Sequence, residues 1–242
     1  MTFSGTAAIA GIGATEFSKE SGRSELQLSA EATLAALADA GLSPSDVDGL
    51  TTFTMDSTSE IALARELGMG DLRVASRMHY GGGAACGTVQ QAGMAVATGI
   101  ADVVVAYRGF DERSGQRFGQ VQKWAAEQVN TNGLDNAWSY PHGLSTPAAT
   151  VAMQARRYMH EYGATSADFG AVAVADRKHA ANNPNAFFYE KPITIEDHQS
   201  SRMIADPLRL LDCCQESDGG VALVVTTAER ARDLPQTPAL IS

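Results

Sequence analysis

Cysteine is scarce: three residues in 242, two of them adjacent at Cys213 and Cys214, are too few for a disulfide framework, and the expectation is a reducing cytoplasm. Positive charge is short as well. Lys and Arg number 18 against 28 Asp and Glu, and the net charge of −10 argues against nonspecific nucleic-acid binding and against an anionic membrane surface. No apolar run approaches the roughly 20 residues that span a bilayer, and residues 1–13 lack the basic start and apolar core of a signal sequence. Tight Cys/His clusters are missing, so His160, His179 and His198 give no metal site. The Gly11-Ile12-Gly13 pair lacks the third glycine and the following helix of a dinucleotide fingerprint.

What is present is a βαβ rhythm. Ala7–Ile12 reads as a strand, and Ser24-Glu25-Leu26-Gln27 is a capping box for a helix with Leu26, Ala30, Leu34 and Leu37 on one face, closed by Gly41. Leu50 to Met55 reads as a buried strand, and Ser57 to Ser59 can cap a helix ending at Gly68. Residues 73–80 form a strand that runs into Gly81-Gly82-Gly83. A buried helix over 84–97 follows, stopped by Gly99, and then the apolar strand 101–107. The alternation predicts a layered α/β fold with a mixed, mostly parallel sheet. The glycine turn is the best candidate site, because the helix it opens presents free N–H groups that favour developing negative charge.

Residues 108–145 break the rhythm, being polar, rich in Gly and Asn, and carrying Trp124 and Trp138. A loop of this length is usually functional or disordered, and its aromatic residues favour a partly ordered excursion over the site. Thr146-Pro147 then caps a helix striped by Val151, Ala155, Tyr158, Met159 and Tyr162, a stripe that reads as core. Thr165 to Asp168 starts another helix that ends at Asn183-Pro184. Ser217-Asp218-Gly219-Gly220 leads into a last strand over 221–226.

The stretches HYGGGAACGTVQQAGMAVATG, SYPHGLSTPAA and DPLRLLDCCQESDGG resemble thiolases. The similarity is closest to the sterol-carrier-protein and lipid-transfer-protein branch and its actinobacterial steroid side-chain-cleaving aldolases. It covers residues 7–227, most weakly over 108–145. The resemblance implies the N-terminal half of a thiolase fold, with the sheet packed around the central helix. It divides the chain into 1–107, an excursion over 108–145, the remainder of the N-terminal domain over 146–235, and 236–242 as the start of a C-terminal half that would supply the principal acid and base.

In thiolases the glycine turn carries the acyl-accepting cysteine. Counting back from Gly99-Ile100-Ala101-Asp102 puts Gly82 at that position and leaves Cys86 four residues on, roughly 6 Å along the helix. With glycine there an acyl-enzyme cannot form. Retro-aldol cleavage of a β-hydroxyacyl-CoA needs none, since a base takes the hydroxyl proton and the thioester leaves as an enolate. The resemblance implies a 17-hydroxysteroid bearing a three-carbon CoA-thioester side chain as substrate, giving a 17-ketosteroid and propionyl-CoA. It also implies dimerisation through the N-terminal half, and a small partner pairing a zinc ribbon with an OB-like domain, the DUF35 type. No cofactor is expected on this chain beyond the CoA thioester as substrate, and zinc belongs to the partner.

Candidate catalytic residues are His79, Tyr80, Gly82, Tyr140 and His142, with core or turn roles as the alternative. Arg113, Arg117 and Lys123 are candidates for CoA phosphates, against a solvated basic face. Cys86 is either a shifted nucleophile or a small apolar filler. Two other functions stay open: an acyltransferase using Cys86, and a non-catalytic acyl-CoA-binding subunit.

Overall fold

The structure is a computed structural model that describes residues 4–53, 58–78, 84–115, 117 and 139–242, without the Tyr140 side chain. The chain groups into two compact units, one of residues 1–114 with 217–242 and the other of 115–216.

The first unit holds a sheet of six strands in the order β3-β2-β4-β7-β1-β8. They are β1 (Ala7–Ala14), β2 (Gly49–Phe53), β3 (Val74–Met78), β4 (Val103–Asp111), β7 (Asp218–Thr227) and β8 (Ala239–Ile241). β2 is parallel to both β3 and β4, whereas β7 runs antiparallel to β4 and to β1. Strands β1 to β4 therefore all point the same way, as the βαβ rhythm requires, with β7 inserted against them. Residues 239–241, in the segment expected to open a second half, continue this sheet as β8 on the free side of β1.

Helices α1 (Glu25–Ala40) and α2 (Glu60–Leu67) cover one face of the sheet, and α3 (Ala85–Ala97) covers the other. Ser24 and Ser59 cap α1 and α2 through side-chain oxygens, and Gly41 and Gly68 end them at φ of 67° and 65°, in the left-handed region that favours glycine. Only half of the capping box at α1 is made. Gln27 turns its amide to Glu31 at 3.0 Å instead of back to Ser24.

The glycines of the sheet explain how closely α1 lies on it. A Cβ on Gly13 would stand 2.2 Å from the Ala32 carbonyl oxygen, and one on Gly220 would stand 2.4 Å from that of Leu28. Gly109 is equally confined, 2.3 Å from the Ser29 hydroxyl. Gly11 and Gly13 thus serve helix packing rather than phosphate binding. The helix meets them with Leu28, Ala32, Ala36 and Ala40, while Leu34, expected on the core face, is exposed. A β-bulge between Ile9 and Gly11 switches β1 from facing α3 to facing α1. The close fit also carries β4 to Asp111, four residues beyond the expected strand end, with Gly109 opposite Gly220.

Helix α3 departs from the buried helix read in the sequence. Thr88, Ala92, Ala95 and Val96 are buried on the sheet, but Cys86, Gln90, Met94 and Ala97 form an exposed stripe. Small residues on both sides of the helix, among them Ala85, Cys86, Gly87, Ala92, Gly93, Ala95 and Ala97, disguise which side is covered.

The second unit holds α4 (Pro147–Tyr162), α5 (Ser166–Ala181), α6 (Ile195–Ser200) and the short pair β5 (Met203–Ala205) and β6 (Leu208–Arg209). Thr146 caps α4 with Pro147 at its first turn, and reciprocal boxes Thr165/Asp168 and Thr194/Asp197 open α5 and α6. The α4 stripe is not core: Val151, Tyr158 and Tyr162 are exposed.

Candidate functional site

In the first unit α3 packs against β2, β3 and β4. Ala84 precedes α3 without a side-chain cap, so the first-turn N–H groups of this helix are not met by a capping side chain. Thr51 donates its hydroxyl to the Thr88 carbonyl at 3.2 Å, and Ser76 hydrogen bonds Gln91, tying the helix to β2 and β3. The Arg108 guanidinium lies over Phe53 at 4.3 Å and over Phe110 at 4.9 Å. Cys86 is a free, exposed thiol one residue into α3, which corrects its reading as a buried filler. His79, Tyr80 and Gly82, expected at the turn itself, lie outside the described residues, as do Lys123, Trp124 and Trp138.

The signature at 217–220 organises the same unit from within. Asp218 is fully buried, and its Oδ1 accepts the N–H groups of Arg113 and Ser114 at 2.9 and 3.0 Å. Its Oδ2 accepts the Ser21 N–H at 2.9 Å and the Ser114 hydroxyl at 2.5 Å. Burial pushes this carboxyl upward, but the hydrogen bonds from Ser114 and Ser21 outweigh it and hold the group below the usual carboxylate range. One carboxylate therefore joins three segments distant in sequence. The S-D-G-G pattern marked the place but gave no hint of those partners.

Of the residues expected to meet CoA, Arg113 contributes its backbone to Asp218, and the Arg117 side chain pairs with Glu216 at 2.6 Å. Residues 140–142 form a 3-10 turn held by the His142 N–H to the Ser139 carbonyl at 3.1 Å, with His142 exposed.

The second unit contains an open groove of about 800 Å³ between α4, α5 and residues 208–215. Tyr158, Phe169, Val172, Phe188 and Leu211 supply apolar wall, and Cys213 and Cys214 lie on it as free thiols. Burial, then Asp212 and Cys214, push the Cys213 thiol up. Beside the groove His198 is completely buried. The Gln199 amide donates to its Nδ1 at 3.0 Å, which leaves Nε2–H to donate to Asp212 at 2.6 Å. The Asp212 Oδ2 accepts the Arg209 N–H at 2.7 Å. Gly170 makes room for the imidazole, since a Cβ there would stand 2.8 Å from Nδ1. Among the described residues no group of His, Cys, Asp and Glu could hold a metal, and no helix is long and apolar enough to cross a membrane.

Residues 7–229 match the thiolase N-terminal domain. The chain is 74% identical, over 98% of its length, to the 17-hydroxy-3-oxo-4-pregnene-20-carboxyl-CoA lyase of Mycobacterium tuberculosis. It is 70% identical, again over 98%, to the steroid side-chain-cleaving aldolase of Thermomonospora curvata. It spans 62% and 61% of the lengths of these two relatives. The solved Ltp2-ChsH2(DUF35) aldolase superposes with a TM-score of 0.91 at 68% identity, over 99% of this chain and 60% of that one. A family model matched over nearly the whole length, together with relatives of 70% identity and above, shows that the chain belongs to the thiolase family.

Proposed function

We propose that the protein containing this chain cleaves the side chain of a steroid CoA thioester by a retro-aldol reaction, giving a 17-ketosteroid and propionyl-CoA. The observation that carries the reading is the identity of 74% and 70%, over 98% of the chain, to two relatives named as a lyase and an aldolase of steroid side chains. Gly82, where thiolases place the acyl-accepting cysteine, agrees with it, because a retro-aldol step needs no acyl-enzyme.

In this reading a base takes the proton of the 17-hydroxyl group and the carbonyl forms as the carbon–carbon bond breaks. The electron pair moves onto the thioester as an enolate, which is protonated to propionyl-CoA. The N–H groups at the start of α3 stabilise that enolate, and a single such donor is worth about 2.7 to 4 kcal/mol of barrier. His79, Tyr80, Tyr140 and His142 are our candidates for orienting the hydroxyl and thioester, and Arg113, Arg117 and Lys123 for the CoA phosphates. The ion pair of Arg117 with Glu216 makes it the weakest of these three.

We assign the partner to the DUF35 type, in line with the aldolase whose name carries that domain. Among the described residues β3 is an edge strand of the sheet, which suits pairing with a second copy through this half. The expected setting is the cytoplasm. The test is incubation of the complete enzyme, with and without a DUF35-type partner, with a 17-hydroxysteroid side-chain CoA thioester, followed by mass spectrometry. Release of 17-ketosteroid and propionyl-CoA supports the reading; unchanged thioester under both conditions rejects it.

A further inference from the structure

The groove of the second unit has a charged rim for which the proposed reaction provides no role. Arg177 lies on its lining, stacked over the Phe188 ring at 3.6 Å, and donates Nη1–H to the Lys191 carbonyl at 3.2 Å. The Lys191 ammonium sits 5.3 Å from the centre of the Phe187 ring, and the two phenylalanine rings meet edge to face at 5.1 Å. Two cations are thus held on an aromatic pair beside an apolar hollow. Neither forms an ion pair with a carboxylate among the described residues.

Partial burial lowers the Arg177 guanidinium from its ordinary value, as expected of a cation that has lost water without gaining a counter-ion. Asp176 also reaches the lining, but it is exposed to solvent. Both oxygens of Asp212 are occupied, by His198 and by the Arg209 N–H. The wall is largely apolar, the volume of about 800 Å³ lies in the range of small-molecule sites, and the Arg177 cation on that wall has no carboxylate partner among the described residues.

We propose that this groove binds an apolar carboxylate, a compact ring system or chain whose carboxyl group meets Arg177 and Lys191 while its body lies along Tyr158, Phe169 and Val172. A guanidinium fork matches a carboxylate bidentately, and a neutral ligand of the same shape leaves the fork unanswered. The proposal does not depend on the reaction assigned above.

Cys214, exposed and on the lining, is the reporter. The complete protein is alkylated with iodoacetamide, and labelled peptides are quantified with 3-oxo-4-pregnene-20-carboxylate, palmitate or their methyl esters present. Binding is measured in parallel by calorimetry. The expected result is saturable binding of at least one of the acids, with Cys214 alkylation slowed at least fivefold. The matching ester should bind at least tenfold more weakly. Arg177→Gln should weaken acid binding at least tenfold, and Arg177→Lys should restore part of it. Ala173→Trp, which fills the groove, should abolish protection while the melting temperature reports that the variant is folded. Equal binding of acid and ester, unchanged Cys214 labelling at saturation, or shielding of Cys214 by the DUF35-type partner alone each overturns the proposal.

Discussion

Replacing Asp218 by alanine removes four hydrogen bonds to one buried carboxylate. Bonds to charged groups contribute about 1.5 to 3 kcal/mol each, and losses at a shared acceptor are less than additive. Ser114 is exposed, so water can reclaim its N–H and hydroxyl groups, whereas Ser21 and Arg113 are partly buried and lose more. The expected cost is about 4 kcal/mol, near 10 °C in melting temperature for a unit of this size. Asp218→Asn keeps an acceptor for Arg113 and Ser114 but turns an amide donor towards the Ser21 N–H, for about 2 kcal/mol.

The pH dependence adds a second readout. The folded-state carboxyl titrates below its unfolded value of about 3.9, so its contribution is complete above that value and is lost as pH falls through the folded pKa. Urea unfolding of wild type and Asp218→Asn between pH 7 and pH 2.5 should therefore show the difference between them shrinking with acid. An alanine variant within about 0.5 kcal/mol of wild type, or a difference that grows below pH 4, refutes the argument.

Gly13→Val sets a side chain against the backbone of α1, and should cost about 3 kcal/mol or more, read as a lower urea midpoint with an unchanged slope. His198→Ala empties a fully buried volume and removes a donor from Asp212. About 3 kcal/mol of destabilisation with faster proteolysis within residues 195–215 is the expected result, and an unaltered cleavage pattern argues against it. Gly82→Leu puts a bulky side chain at the position expected for the nucleophile and, on the proposed reaction, should abolish steroid thioester cleavage; normal turnover by the variant rules out the retro-aldol site assigned there.

The order of strands and helices up to residue 107 was legible because caps, closing glycines and apolar runs are local signals. Ser24, Ser59 and Thr146 cap helices where the sequence put them. The extension of β4 to Asp111 was not legible, because Gly109 reads as a loop residue until the helix above it is known. The exposed stripe of α3 was hidden because small residues stand on both sides of the helix. At the sites, S-D-G-G reads only as the approach to the last strand, and the partners of Asp218 lie 104, 105 and 197 residues away. Arg177 meets Phe188 and the Lys191 carbonyl across a turn that no spacing rule describes. His198 looked like an ordinary helical histidine because Asp212 and Gly170 come from other elements.

The place of β7 between β4 and β1 also sets an order of events on the ribosome. β1 finds both of its neighbours, β7 and β8, only in residues made after position 217, so among the strands of this sheet the earliest in chain order is among the last to be paired. Strands β2, β3 and β4 can assemble with α3 while the nascent chain is still growing, but they do so with one flank of β4 open. A nascent sheet with an apolar flank waiting for a segment more than 100 residues downstream exposes an aggregation-prone edge of the kind that holdases cover. The yield of this protein should therefore respond to holdase capacity and to translation speed over residues 112–217 more than to the stability of the finished fold.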